Sequence, residues 1–188
     1  MTAIPKKDFY TYEDWESWDE DFRAELIDGK LYLMASPSQR HQEIVAEICR
    51  QIGNHLLGKQ CKVLPAPFGV RLEETKDTVV EPDIVVVCDP SKLDGKICKG
   101  APDMVVEVVS PSSIHNDTIV KFQKYLRAGV TEYWIVDPVS QLVKVHTMSD
   151  GSSCSTVIYT ANSTIKIGVL ENCTIDLQYV FPEDTDIG

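Results

Sequence analysis

Two runs limit what this chain can fold into: IVVV at residues 84–87 and MVVEVV at residues 104–109. Neither alternates polar with apolar residues, so each reads as a strand covered on both faces, which demands a sheet with a layer on each side. Both also carry an acid. Asp83 directly follows Pro82 at the head of the first run, and Glu107 sits inside the second, flanked by Val105, Val106, Val108 and Val109. An isolated carboxylate taken out of water costs several kcal/mol, so a buried Glu107 must be protonated, paired with a cation or bound to a metal.

The elements around these strands follow from local pattern. AELIDGKLYLM alternates around Asp28-Gly29, a dipeptide that tolerates the positive φ of a two-residue turn, and predicts a β-hairpin. HQEIVAEICRQIGNHLLG sets Ile44, Val45, Ile48, Ile52, Leu56 and Leu57 at helical spacing and closes on Gly58. CKVLPAPFGVRL reads as a further strand, and DPSKLDGKICKGA as a lysine-bearing loop between the two acid strands. NDTIVKFQKYLRAGV predicts a second helix, capped by Asn116 or Asp117 and ended by Gly129, with Ile119, Phe122 and Leu126 as its core stripe. Asp117, Lys121, Lys124 and Tyr125 lie on an adjoining face. YWIVD is another buried strand, and the remainder reads as further strands with a short acidic tail. The fold class is therefore α/β or mixed α+β, a mixed sheet flanked by helices with extra β-hairpins. No linker, repeat or low-complexity tract divides the 188 residues, so one domain is expected over 1–188, with a core at roughly 20–150 and a β extension at 151–188.

Composition narrows the function. The formal net charge of −11 argues against broad attraction to nucleic acid or anionic membrane, and any polyanion must meet a local basic patch. Lys92, Lys96 and Lys99, with Lys121, Lys124 and Arg127, are the clustered cations able to form one, and they are expected to flank the cleft. No apolar run is long enough to cross a bilayer, and MTAIPKKDFYTYEDWESWDED has no apolar core of a signal peptide, which predicts a cytoplasmic protein without a membrane partner. The six cysteines show no CxxC pair, and reduced thiols are expected. Phe9, Tyr10, Tyr12, Trp15 and Trp18 predict a packed N-terminal arm.

If the acid strands are neighbours, Asp83 and Glu107 can share one cation that offsets the cost of burying either. A hard, oxygen-liganded ion such as Mg²⁺ or Mn²⁺ suits such a pair. The order of helix, strands, Pro-Asp strand, Glu strand, helix and strand resembles the PD-(D/E)xK nuclease superfamily, with its restriction-endonuclease-like αβββαβ core. ELIDGKLYLM with SPSQRHQ, EPDIVVV, APDMVVEVVSPSS and the D-x-x-x-K-x-x-x-Y series through GVTEYWIVDP are similar to the Uma family within it. That resemblance implies a metal-dependent endonuclease hydrolysing DNA phosphodiester bonds, with Asp83 and Glu107 as metal ligands, Glu43 assisting, and a homodimer that reaches both strands. The superfamily pattern places a lysine two residues after the glutamate, where this chain has Val109. The resemblance implies a migrated lysine at Lys121, beside the attacking water, with Lys124 as fallback and Lys124, Lys96 and Lys99 toward substrate. On this reading Lys121 is dispensable for folding.

Plainer readings stand beside these. Asp83 caps the entry to a strand; Glu107 is neutral or salt-bridged to Lys121 or Arg127; Lys121 is a solvated helix lysine; His41 is a helix-start side chain; Glu47 competes with Glu43 one turn away. The alternative function is an inactive nuclease-like scaffold that binds nucleic acid or protein without cutting.

Overall fold

The computed structural model describes residues 6–19, 22–72, 77–111, 113–149 and 151–182. A short helix, α1 (Tyr12–Glu16), leads to the hairpin β1 (Ala24–Ile27) and β2 (Lys30–Leu33). Asp28 and Gly29 both take positive φ, 51° and 72°, as a two-residue turn of this twist requires. A Cβ on Gly29 would overlap the Phe9 ring, so the glycine also lets the N-terminal arm close over the turn. The arm is held by the Trp15 indole, which donates to the Ala24 carbonyl, and by Arg71, whose guanidinium lies 3.7 Å from the Tyr12 ring centroid.

Helix α2 (Gln39–Leu56) starts at Ser38, whose hydroxyl accepts from the His41 amide. Its stripe of Ile44, Ile48 and Ile52 is fully buried, each side chain contributing roughly 1.5–3 kcal/mol. Leu57 lies past the last turn and is exposed.

The strands β3 (Lys62–Pro65), β4 (Gly69–Arg71), β5 (Val79–Val80), β6 (Ile84–Val87), β7 (Ile97–Lys99) and β8 (Met104–Val108) follow. A π-helical turn at Asn116–Lys121 then runs into α3 (Phe122–Ala128), and β9 (Glu132–Asp137), β10 (Leu142–Ser149), β11 (Ser153–Thr160), β12 (Thr164–Lys166), β13 (Thr174–Asp176) and α4 (Leu177–Val180) complete the chain. One sheet has the order β11-β10-β9-β8-β6-β3, and a second has the order β2-β1-β5-β4-β7. The first is antiparallel except for β8 against β9. The expected helix, three strands, helix and strand are present as α2, β3, β6, β8, α3 and β9.

The period of two along each strand divides the core. Ile84, Val86, Met104, Val106 and Trp134 face α2 and α4, whereas Val85, Val87, Val105, Tyr133 and Ile135 face α3 and the second sheet. Glu107 shares the parity of Val105, which turns it toward that second layer.

Five expectations are corrected. CKVLPAPFGVRL is not one strand: it breaks at Pro65-Ala66-Pro67, and β3 and β4 enter different sheets, because Pro cannot donate to a ladder. The lysine-bearing loop contains β7, parallel to β4. Cys61 and Cys88 form a disulfide, with Cα atoms 3.9 Å apart, because the Lys62–Val87 pairing sets the two flanking cysteines opposite one another; Cys154 is an exposed free thiol. The core stripe of the second helix holds at Leu126, which is buried, and at Phe122, which packs against the core, but not at Ile119, which is 55% exposed, while Asp117, Lys121 and Tyr125 are buried. Neither Asn116 nor Asp117 caps it, since helical turns already run from Ile114. Gly129 does end it, with φ 89°. Part of the acidic tail lies outside the described residues. Among the described residues no helix is long and apolar enough to cross a membrane.

Candidate active site

β6 and β8 pair antiparallel with Ile84 opposite Val106, and extending that register by one residue sets Asp83 opposite Glu107. The Val108 amide donates to Asp83 Oδ2 at 2.7 Å. Both acids therefore sit at the end of the central strands, in the wall of a cleft of about 880 Å³ that opens between the β1–β2 hairpin, the start of α2 and the π-helical turn.

The helix after β8 brings the cation. The ammonium of Lys121 is 2.8 Å from Glu25 Oε1, 3.0 Å from Glu107 Oε1 and 3.2 Å from Asp117 Oδ1. Tyr125, one turn further on, donates its hydroxyl to the same Glu107 oxygen at 2.9 Å. Three carboxylates thus converge on one lysine, all four side chains no more than 6% exposed. The helix turns its polar face inward because each buried charge finds a partner there, and a lone carboxylate would not. Wider π-helical turns recur at functional sites, and this one covers Asp117 and Lys121. The Glu81 amide donates to Glu25 Oε1 at 2.9 Å, and the Tyr133 hydroxyl to the Asp117 carbonyl at 2.9 Å, which fixes the cluster from both flanks.

Electrostatics follow from that count. Burial pushes the Glu107 carboxyl well above its ordinary value; Lys121 opposes the shift, and Asp117, Asp83 and Glu25 reinforce it. For Lys121 burial acts to lower the pKa, but Glu107, Glu25 and Asp117 outweigh it and hold the ammonium well above its usual range. At the cleft mouth, His41 Nε2 lies 3.2 Å from Asp83 Oδ2. Burial pulls the imidazole down, yet the hydrogen bond and charge of Asp83 win, and His41 is raised.

Of the residues expected from sequence, Asp83, Glu107 and Lys121 meet in the cleft wall. Glu43 does not: its side chain is 51% exposed, it accepts from Gln39 Nε2 at 2.7 Å, and it faces away from the cleft. The competing Glu47 is tied to Arg50 at 2.6 Å. Lys124, the fallback lysine, binds Asp28 at 2.6 Å and ties α3 to the hairpin turn. Lys99 pairs with Asp94 at 2.9 Å, Lys92 donates to the Ala101 carbonyl at 2.7 Å, and neither these nor Lys96 lines the cleft. The expected basic flank is not there, because β7 joins the far edge of the second sheet rather than bordering the acids. Nor is Lys121 a solvated lysine, being the buried counter-ion of three acids.

Sequence reasoning misses Glu25. It carries the signature that singles out Glu107, an acid inside a wholly buried strand of pattern AELI, but its place in a hairpin makes it read as surface. His41 reads as a helix-start residue, and only the tertiary contact with Asp83 distinguishes it.

The donor set for a metal is all oxygen, which suits a hard cation. Among the described residues no group of three or more His, Cys, Asp or Glu side chains is arranged to hold an ion. The point shared by Glu25, Glu107 and Asp117 belongs to the ammonium. What remains is the pair Asp83 and Glu107 at the cleft wall, and two carboxylates completed by water are a normal complement for Mg²⁺.

The fold has a solved counterpart: the crystal structure of a protein described as a putative nuclease belonging to DUF820, from Anabaena variabilis ATCC 29413, matches with a TM-score of 0.75 at 18% identity, over 91% of this chain and 97% of that one. Among curated proteins, the uncharacterised protein slr1290 of Synechocystis sp. is 27% identical over 158 residues, covering 82% of this chain and 83% of that protein. The family model Uma2, described as "Putative restriction endonuclease", matches residues 9–178, and the chain belongs to that family.

Proposed function

We propose that the chain is an endonuclease that hydrolyses DNA phosphodiester bonds with Mg²⁺ or Mn²⁺, held by Asp83 and Glu107. The observation that carries this reading is the excess of buried carboxylate over cation in an open cleft: Glu25, Glu107 and Asp117 share one ammonium, with Asp83 beside them. A structural core has no need of that imbalance, whereas a site that takes up a divalent cation does. The description of the family and that of the solved Anabaena protein, both naming nucleases, support the same reading.

The geometry supports a role for each residue. Asp83 and Glu107 would hold a divalent ion, which would supply positive charge against the phosphate and acidify water. Lys121 stays protonated at neutral pH and, with its three donors on Glu25, Glu107 and Asp117, is a positioning residue that holds the Glu107 carboxyl rather than a base. Glu25 and Asp117 hold that ammonium in place, and Tyr125 orients the Glu107 carboxyl. His41 holds Asp83 from the cleft side.

A second reading, a scaffold that binds without cutting, is favoured by the ammonium at the common point of the three carboxylates. Incubation with supercoiled, linear duplex, single-stranded and branched DNA separates the two. The nuclease reading predicts cutting that requires Mg²⁺ or Mn²⁺, stops with chelator and falls at least ~100-fold in Asp83→Asn, on the order expected for removing a charge-stabilising group. Absence of cutting on every substrate supports the scaffold.

A further inference from the structure

The cleft offers little of what a DNA duplex demands and much of what an unpaired strand can use. Its positive side chains are Arg23, Arg40, His41 and Lys121; His41 is committed to Asp83 and Lys121 to its three carboxylates, while Arg23 and Arg40 stand at the looser distances of 3.6 Å from Glu81 and 3.9 Å from Glu43. A duplex presents two phosphate backbones, and proteins that hold it spread cations along both. A single strand carries a lower charge density and exposes the faces of its bases, which apolar and aromatic side chains can cover.

The rim of this cleft is apolar. Leu33, the last residue of β2, is 71% exposed, and Val139, in the turn between β9 and β10, is 87% exposed; both line the cleft. Tyr32 and Met34 line the same wall as Leu33. Neither rim residue is on a loose end. The Met34 amide donates to the Arg23 carbonyl at 3.1 Å beside Leu33, and Asp137 accepts from the Val139 amide at 2.9 Å and the Ser140 hydroxyl at 2.6 Å. Two apolar side chains are thus carried into water at the entrance by hydrogen-bonded backbone, an arrangement with no role in the core.

Arg23, which lines the same cleft and is 39% exposed in its side chain, carries an unsatisfied donor. The Nε of Arg23 is buried with no hydrogen-bond partner among the described residues, and the nearest carboxylate oxygen, Glu81 Oε2, stands 3.6 Å from its Nη2, beyond a good hydrogen bond. Buried donors are rarely left unpaired, and a guanidinium presents a fork that matches two phosphate oxygens.

We infer that the cleft takes an unpaired DNA strand, with a phosphate on the Arg23 guanidinium and bases against Leu33 and Val139. The inference rests on the phosphodiester reading only in requiring that the strand pass Asp83 and Glu107. The test is fluorescence anisotropy of the full chain with a labelled oligothymidylate and with a duplex of equal length, in buffer with Ca²⁺ and at one fixed salt concentration. The single strand should bind at least about tenfold more tightly, and Leu33→Asp with Val139→Asp should weaken it by about tenfold, the scale expected when base contacts are removed. Arg23→Ala should weaken it similarly, with Lys96→Ala, away from the cleft, within about twofold. Leu33 and Val139 are exposed, so their substitution leaves the fold intact, and thermal melting verifies it for each variant. Equal or tighter binding of duplex, or unchanged affinity in both the rim and Arg23 variants, overturns the inference. A protein that binds the single strand this way but cuts nothing refutes the nuclease reading alone; one that cuts duplex and ignores the single strand refutes this inference alone.

Discussion

At Glu107 a carboxyl only 4% exposed at the cleft wall has one ammonium to balance it, and that ammonium is shared with Glu25 and Asp117. Its pKa is raised above the ordinary 4.5, so the folded chain retains a proton that the unfolded chain releases. Stability is therefore undiminished below that unfolded value and falls as pH rises from there through the folded value. Glu107→Gln removes the fall while keeping the shape. Melting curves between about pH 5 and pH 8 should be flatter for the variant, which should gain about 1–2 kcal/mol at the upper end; parallel curves would contradict the raised pKa. Lys121→Ala should do the reverse, costing about 3–5 kcal/mol by leaving three buried carboxylates without their counter-ion. Asp83, Glu107 and Lys121 are legible in the sequence because a charge among valines is conspicuous and the D-x-x-x-K-x-x-x-Y spacing is periodic. Glu25 and His41 are not, since each looks ordinary until a distant strand arrives beside it.

Among the elements, α2 and the hairpin can be read directly: the isoleucine period and the Asp-Gly turn are local properties that tertiary contacts reinforce. The second helix can be located and its last turns oriented, Leu126 and Phe122 packing as expected, but its first turn cannot. Hydrophobicity assigns Ile119 to the core, yet the energetics of four buried polar groups at Glu25, Glu107, Asp117 and Lys121 outweigh one isoleucine, and the π-helical turn presents Asp117 and Lys121 inward instead. A pair of substitutions measures this. Ile119→Lys should change stability by no more than about 0.5 kcal/mol, as an exposed site allows, whereas Ile48→Ala on α2 should cost about 2–5 kcal/mol. A large loss at Ile119 in chemical denaturation would restore the apolar stripe to the core. The disulfide is illegible for a related reason: Cys61 and Cys88 meet only through the register of β3 against β6, which spacing along the chain does not encode.

For the molecule as a whole, the six-stranded sheet is covered by α2 on one face and by α3 with the second sheet on the other, and the cleft opens where these layers part at the ends of β6 and β8. That parting explains how both-side burial and an accessible acid pair coexist. Glu25, Glu81, Asp83, Glu107 and Asp117 line this opening against Arg23, Arg40 and Lys121, which gives a chain of net charge −11 a place where a divalent cation would be drawn. The most direct measurement of that claim is calorimetric titration of the metal-free protein with Mn²⁺. The wild type should bind about one ion, with binding lost in both Asp83→Asn and Glu107→Gln and retained in Glu43→Gln, whose side chain faces away. Binding of undiminished affinity in both of the first two variants, or none in the wild type, would contradict the account.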